Sequence, residues 1–214
     1  MRIALVGAES TGKSTLAAQL AAKFRATGLS VTVVDEVLRE WCGREGRTPR
    51  RDEQMAIAQE QARRSRQARA DVVISDATSV MIAVYSDMLF GDSSLYDFAL
   101  AHQRSYDVTL LTGLDLPWVA DPLRDGPHVR EPVDALVRAA LTAAGITWHG
   151  VYGTGEERVR NALRGIHAAA GNAQANEDGR SMKAWQCEKC SDPQCEHRLF
   201  TGLLASKAAG RPPA

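Results

Sequence analysis

The sequence predicts an α/β protein: a five-stranded parallel sheet between two layers of helices, followed by a short Cys/His-rich tail. Three observations predict it. Short apolar, β-branched segments alternate with segments whose apolar residues recur at helical spacing, the pattern of right-handed strand–helix–strand crossovers. The nine residues Gly7-Ala8-Glu9-Ser10-Thr11-Gly12-Lys13-Ser14-Thr15 fit G-x-x-x-x-G-K-[ST], between the first such strand and the first such helix. From Gly171 the composition shifts to Gly, Asn, Ala and Gln, and then to a cluster of cysteines.

Arg2-Ile3-Ala4-Leu5-Val6 reads as the first strand, and residues 16–24 as the first helix. That context separates a phosphate-binding loop from a Gly-rich turn that binds nothing. The glycines let the backbone wrap a polyphosphate, so that N–H groups and a helix N-terminus face its charge. Lys13 would reach the β- and γ-phosphates of ATP, and the Ser14 hydroxyl would hold Mg²⁺. The expected architecture is therefore the three-layer fold of P-loop NTPases.

Further along, residues 30–34 form a β-branched strand ending at Asp35-Glu36, and Val37 to Cys42 a short helix. A polar loop precedes a helix over 52–69, which has an acidic start and an arginine-rich end. Those arginines suit either a dipole-matched, solvated helix end or a nucleic-acid contact, and the first reading is preferred. Residues 71–75 form the third strand, with Asp76 just past its end, and helices follow over 78–90 and 94–103. The fourth strand covers 108–111, and a polar stretch with three prolines runs from Thr112 to His128. A helix over 132–144, a strand over 146–152 and a helix over 156–170 complete the domain. The sequence thus divides into a nucleotide-binding domain (1–170), a linker (171–184) and a tail (185–214).

The 214 residues suffice for one large core. Lys plus Arg equals Asp plus Glu, 26 each, so no global field points to nucleic acid. No apolar run approaches the length needed to span a bilayer, and the first strand starts at the N-terminus. A cytoplasmic protein that binds no membrane is the expectation.

In a parallel sheet, ligands bind outside the carboxyl ends of the strands, so the Gly7 loop, Asp35, Glu36 and Asp76 should share one edge. Asp76 is placed to hold Mg²⁺ or to cap the following helix. Asp35 and Glu36 are placed to handle an acceptor hydroxyl, or are plain surface charge. In the loop Asp115–Gly126, Trp118 offers a face for ring stacking and Arg124 a charge for phosphate, as in a closing lid. A Pro-rounded connection with Trp118 in the core is the alternative.

Four stretches together resemble the nicotinamide riboside kinase domain of NadR and its P-loop relatives. They are Gly7–Thr15, Glu36-Val37-Leu38-Arg39-Glu40-Trp41, Ile57-Ala58-Gln59-Glu60-Gln61 and Leu116-Pro117-Trp118-Val119-Ala120-Asp121-Pro122-Leu123-Arg124-Asp125. Tyr152-Gly153 with Arg158 resembles that family's last strand and helix, so the likeness covers roughly residues 1–168. Val37 departs from the family's usual aromatic, and Ala77-Thr78 stand where a second aspartate often follows. The resemblance implies an ATP-dependent kinase of a nucleoside-like small molecule, with Lys13, Glu36, Asp76 and Arg124 in catalysis. It implies that Asp35, Glu36, Arg39, Trp118 and Asp121 meet the acceptor, with Trp118 stacked on nicotinamide. A nucleotide-dependent regulatory ATPase, whose tail grips a protein partner, is the other functional class the sequence allows.

The tail carries Cys187, Cys190, Cys195 and His197 as Cys-x₂-Cys-x₄-Cys-x-His. Three thiolates and an imidazole make a tetrahedral zinc set that would order a segment too short to build its own core. A redox Cys-x-x-Cys or reduced thiols in a disordered tail are the alternatives.

Overall fold

The computed structural model describes residues 1–120 and 126–177. Its sheet has five parallel strands: β1 (Arg2–Val6), β2 (Val31–Val34), β3 (Val72–Asp76), β4 (Val108–Thr112) and β5 (His149–Val151). Their spatial order is β2-β3-β1-β4-β5. The helices are α1 (Lys13–Ala26), α2 (Val37–Glu45), α3 (Gln54–Gln67), α4 (Ser79–Phe90), α5 (Tyr96–Gln103), α6 (Arg130–Ala143) and α7 (Gly155–Glu177). None of the described helices is long and apolar enough to cross a membrane.

The two-residue period of a strand divides the core. Ile3 and Leu5 of β1 pack with Leu16 and Leu20 of α1 and with Val159 and Ile166 of α7. Val6 points the other way, into a cluster with Ile57 of α3, Met81 of α4 and Leu141 of α6. Both sheet faces are covered, which is why the central strands read as continuous apolar runs. The register pairs Leu5 with Asp76, Val34 with Ser75 and Val6 with Leu111. The segments that leave β1, β2, β3 and β4 therefore emerge side by side, as the crossovers required.

Three elements differ from the sequence expectation, each for a local reason. The last strand is only His149–Val151, because Gly145, with φ +64°, ends α6 and Ile146 donates back to the Leu141 carbonyl (2.9 Å). Ile146 and Trp148 then pack on the α4/α6 side of the core, so their apolar character serves the helix end and not the sheet. The expected helix over 52–69 is a short 3₁₀ turn, Arg51–Glu53, followed by α3; the Glu53 carboxylate accepts the Arg50 N–H at 2.7 Å. The last helix runs to Glu177, past the expected end at Ala170, as Ala and Gln outweigh one Gly in propensity. The remaining linker, the zinc ligands Cys187, Cys190, Cys195 and His197, and Asp121 and Arg124 lie outside the described residues.

Two of the α3 arginines are engaged within the protein. Arg63 and Arg64 both bond Glu60, and Arg64 also reaches Glu40 of α2 at 2.7 Å. The Arg63 and Arg64 hydrogen bonds hold the Glu60 carboxyl down to about 2.

The sheet face under α3 and α5 also contains a buried polar layer. Tyr106 Oη, Ser65 and Ser75 share hydrogen bonds of 2.8 and 2.9 Å, and Arg2 donates to Ser65. Against the Tyr106 ring lies His102, 1% exposed, with neither ring nitrogen hydrogen-bonded among the described residues. Burial, helped by the Arg66 and Arg2 charges, pushes its imidazole down to about 4. The unfolded chain protonates this ring near pH 6.5 and the folded chain near 4, so the unfolded state binds more protons between those values. Stability should fall as pH drops through that window, by about 3 kcal/mol at full effect. Urea unfolding at pH 7, 5.5 and 4.5 checks this: His102→Leu should flatten the pH dependence, and equal slopes in both proteins would refute it.

Candidate functional site

A cavity of about 400 Å³ opens at the carboxyl edge of the sheet, within the range of roughly 300–1,000 Å³ for small-molecule sites. One wall is the loop from Glu9 to Thr15. The facing wall comes from α2 and its entry: Glu36, Leu38, Arg39 and Cys42. Thr48, Pro49, Gln54, Tyr85 and Leu89 complete the lining.

The loop is held in shape by its own backbone and by distant side chains. Gly7 sits at φ +141°, and a Cβ there would fall 2.3 Å from Thr112 Oγ1, so only glycine permits this approach to β4. Gly12, at φ +75°, is the N-cap position of α1 and turns the chain so that the helix N-terminus faces the cavity. The Thr11 hydroxyl donates to the Ala8 carbonyl (2.8 Å) and meets Thr112 Oγ1 at 2.7 Å. Arg158, 4% exposed, reaches from α7 to donate to the Thr11 carbonyl at 2.7 Å and to Asp115 at 3.0 Å. One guanidinium thus joins the segments that leave β1 and β4, and a third bond to the Gly153 carbonyl adds the segment that leaves β5.

Lys13 Nζ donates to the carbonyls of Gly7 (2.8 Å) and Ala8 (2.9 Å). Burial lowers its pKa, while the carboxylates of Glu36, Asp76 and Glu9 act in the opposite sense. Those three carboxylates and one ammonium therefore share a single electrostatic environment, as expected of a site built to balance phosphate and metal charge.

Asp76 is 6% exposed, and its Oδ1 has no hydrogen-bond partner among the described residues. A buried, unsatisfied carboxylate oxygen is costly. The N-cap position of α4 belongs to Thr78, so Asp76 is not that helix's cap. Ala77 between them has φ +73°, a left-handed conformation uncommon outside glycine, and it marks the sharp exit from β3. Such an oxygen, on a strand paired to the one that leads into the Ser14 loop, fits a divalent cation.

Glu36 and Arg39 line the cavity, their ends 3.8 Å apart. Asp35 is exposed and is not on the cavity wall; its backbone carbonyl instead accepts from Gln61 Nε2 at 3.3 Å. Trp118 belongs to neither core cluster and does not line the cavity, although its indole N–H is buried. Its segment is nonetheless tied to the phosphate loop, since the Val119 N–H donates to Ser10 Oγ at 2.8 Å. Arg130 anchors the start of the same segment by donating to the carbonyls of Leu114 and Leu116. Sequence reasoning did not find Gln54, Tyr85 or Leu89 in the cavity, nor the roles of Gln61 and Arg130. These depend on which helix face meets which loop, and no local motif carries that.

Sheet order, phosphate-loop geometry and flanking helices together define a P-loop NTPase-like fold. A family model described as an AAA domain matches residues 2–158, and the chain belongs to that family. Among solved structures, it is similar to NadR protein in complex with NR: TM-score 0.60, 17% identity, covering 79% of this chain and 51% of that one. NadR protein in complex with NAD and AMP-PNP gives the same TM-score and identity, covering 79% of this chain and 49% of that one. Deoxyadenosine kinase from M. mycoides, with products dCMP and dCDP bound, matches at TM-score 0.55 and 13% identity, covering 78% of this chain and all of that one. The chain spans about half the length of the NadR chains. These likenesses establish the fold. A search of curated proteins finds no match.

Proposed function

We propose that the protein is a kinase that transfers the γ-phosphate of ATP to a hydroxyl of a nucleoside, with nicotinamide riboside as the acceptor. The observation that carries this reading is the continuity of the cavity. The same cavity is lined by the phosphate loop and by Glu36, Arg39, Tyr85, Leu89 and Pro49, side chains that a second molecule beside the triphosphate would meet. A hydrolase needs only water there. Away from the loop the wall is mixed, with Leu38, Pro49, Tyr85 and Leu89 offering apolar surface beside Glu36, Arg39, Thr48 and Gln54, a combination that suits a sugar bearing a flat ring. The similarity to NadR in complex with NR and to a deoxyadenosine kinase with products bound agrees with this reading.

In this reading the α1 N-terminus and Lys13 hold the triphosphate, and Lys13 exchanges its bonds to the Gly7 and Ala8 carbonyls for phosphate oxygens. Mg²⁺, when bound, neutralises charge on the β- and γ-phosphates, and Ser14 and Asp76 would hold it. Glu36 orients the acceptor hydroxyl and takes its proton as the new O–P bond forms and ADP departs. Arg39 stands beside it to meet the sugar or the transferring group.

The testing experiment is a thermal-shift screen of nucleosides with Mg²⁺ and a non-hydrolysable ATP analogue, followed by transfer assays on the hits. Ligands that bind only the folded state raise its melting temperature. Selective stabilisation by nicotinamide riboside with phosphate transfer to it is the expected result. ATP hydrolysis that no nucleoside stimulates would replace this reading with the regulatory ATPase.

The tail is proposed as a structural zinc site of Cys187, Cys190, Cys195 and His197. Protein prepared without added zinc should carry about one ion per chain, released by chelator or acid because the ligands must be deprotonated. Cys190→Ser should lose the metal while ATP binding persists. Metal analysis showing no zinc, with fully reactive thiols, would remove the proposal.

A further inference from the structure

Glu36 stands at the N-cap position of α2, with extended backbone angles (φ −71°, ψ 107°). A carboxylate there ordinarily turns back onto its own helix to satisfy one of the unpaired N–H groups of the first turn. Here it makes no such cap bond. One of those N–H groups, that of Val37, donates instead to Gln61 Oε1 at 2.8 Å, from a different helix, α3. The other end of the same amide, Nε2, donates to the Asp35 carbonyl at 3.3 Å. Gln61 is 1% exposed. Its side chain therefore grips the backbone on both sides of Glu36, and the glutamate side chain lines the cavity beside Arg39 without capping the first turn of its helix.

The two contacts require an amide. The Val37 N–H needs an acceptor and the Asp35 carbonyl needs a donor, and a single amide orientation supplies both. A glutamate in place of Gln61 has no donor when ionised, and an apolar side chain has neither group. One turn further along α3, Arg64 bonds Glu40 of α2 at 2.7 Å, so α3 fixes α2 at two successive points.

We propose that Gln61 is a positioning residue for Glu36: by bridging the backbone before and after it, Gln61 sets the carboxylate against the acceptor end of the cavity. This inference rests on the kinase reading above. Misplacing a catalytic group by about 1 Å costs about 10²-fold in rate. Gln61→Met keeps an unbranched side chain of similar length without either polar group. It should lower kcat for acceptor phosphorylation by about 10- to 100-fold and leave the affinity for Mg-ATP unchanged. A structural defect alone would also lower kcat, so the deciding readout is a double-mutant cycle with Glu36→Gln. If Gln61 acts through the Glu36 carboxylate, adding Gln61→Met to Glu36→Gln causes little further loss.

Val37→Pro deletes the same bond from the backbone side, at a first-turn position that tolerates proline. It carries the test if Gln61→Met does not fold, and the same non-additivity with Glu36→Gln is expected. Losses that multiply in the double variants, or an unchanged kcat in the single ones, overturn the inference while transfer by the wild type upholds the kinase reading. Absence of any transfer by the wild type overturns both.

Discussion

Lys13→Ala should yield a folded protein that binds Mg-ATP about 10²-fold more weakly than the wild type. The magnitude follows from the loss of a charged donor, since a hydrogen bond to a charged group is worth about 1.5–3 kcal/mol and each 1.4 kcal/mol is tenfold in affinity. The fold should survive because Nζ donates only to two carbonyls of the loop itself, Gly7 and Ala8, and Ala is the best helix former at the start of α1. The amine is also held against its own desolvation, as the downward direction of its pKa records. Removing it relieves that cost in the free protein, while Glu9, Glu36 and Asp76 lose the cation that they share. The bound state therefore suffers more than the free state. Titration calorimetry with Mg-ATP, alongside a melting curve, reads both quantities. Unchanged affinity would mean that the loop does not hold a triphosphate, and the functional reading would fall with it.

How far this site could be read in advance differs between its two halves. The phosphate half was legible because it is local: Gly7, Gly12, Lys13 and Ser14 are spaced by chemistry that works within nine residues, between one strand and one helix. The parallel sheet and the common edge followed from crossover rules that need only the alternation of elements, whereas the spatial order of the strands did not. The proposed acceptor half is assembled from α2, the segment at Pro49, α3 and α4, and its walls depend on helix rotation. Tyr85 and Leu89 lie in an apolar helix where no local signal marks them as site residues, yet both line the cavity. For Trp118 the sequence leaves a stacking face and a core position equally open, and the residue is neither on the cavity wall nor in a core cluster. Gln61 was visible only as part of a family-like stretch. Its work is a pair of bonds to a backbone corner 24 and 26 residues away, and no spacing encodes them. The strand expected over 146–152 is shortened to His149–Val151 for a related reason: Ile146 closes the end of α6, so its apolar, β-branched side chain serves a helix cap and not the sheet.

Glu36→Gln should preserve ATP affinity and reduce phosphate transfer by on the order of 10²-fold or more, the usual range for loss of a general base. The substitution keeps length and shape and removes only the negative charge and the capacity to take a proton. Little structural loss is expected, because Glu36 makes no cap bond to α2 and the Val37 N–H is already held by Gln61. ATP affinity should persist because, in the proposed function, Lys13 and the loop amides meet the phosphates and Glu36 does not. Glu36 is one of three carboxylates that bear on Lys13, so its neutralisation changes the field at the loop without emptying it. A base that works only on the acceptor should leave slow ATP hydrolysis by water unaffected while transfer collapses. The ratio of transfer to hydrolysis is therefore more diagnostic than either rate. Parallel measurement of both, with calorimetric ATP affinity, separates three cases. Selective loss of transfer supports the assigned role. Equal loss of transfer and hydrolysis would move Glu36 into the phosphate or metal site beside Asp76. Loss of ATP binding itself would make it part of the nucleotide pocket, and the acceptor base would have to be sought elsewhere on the cavity wall.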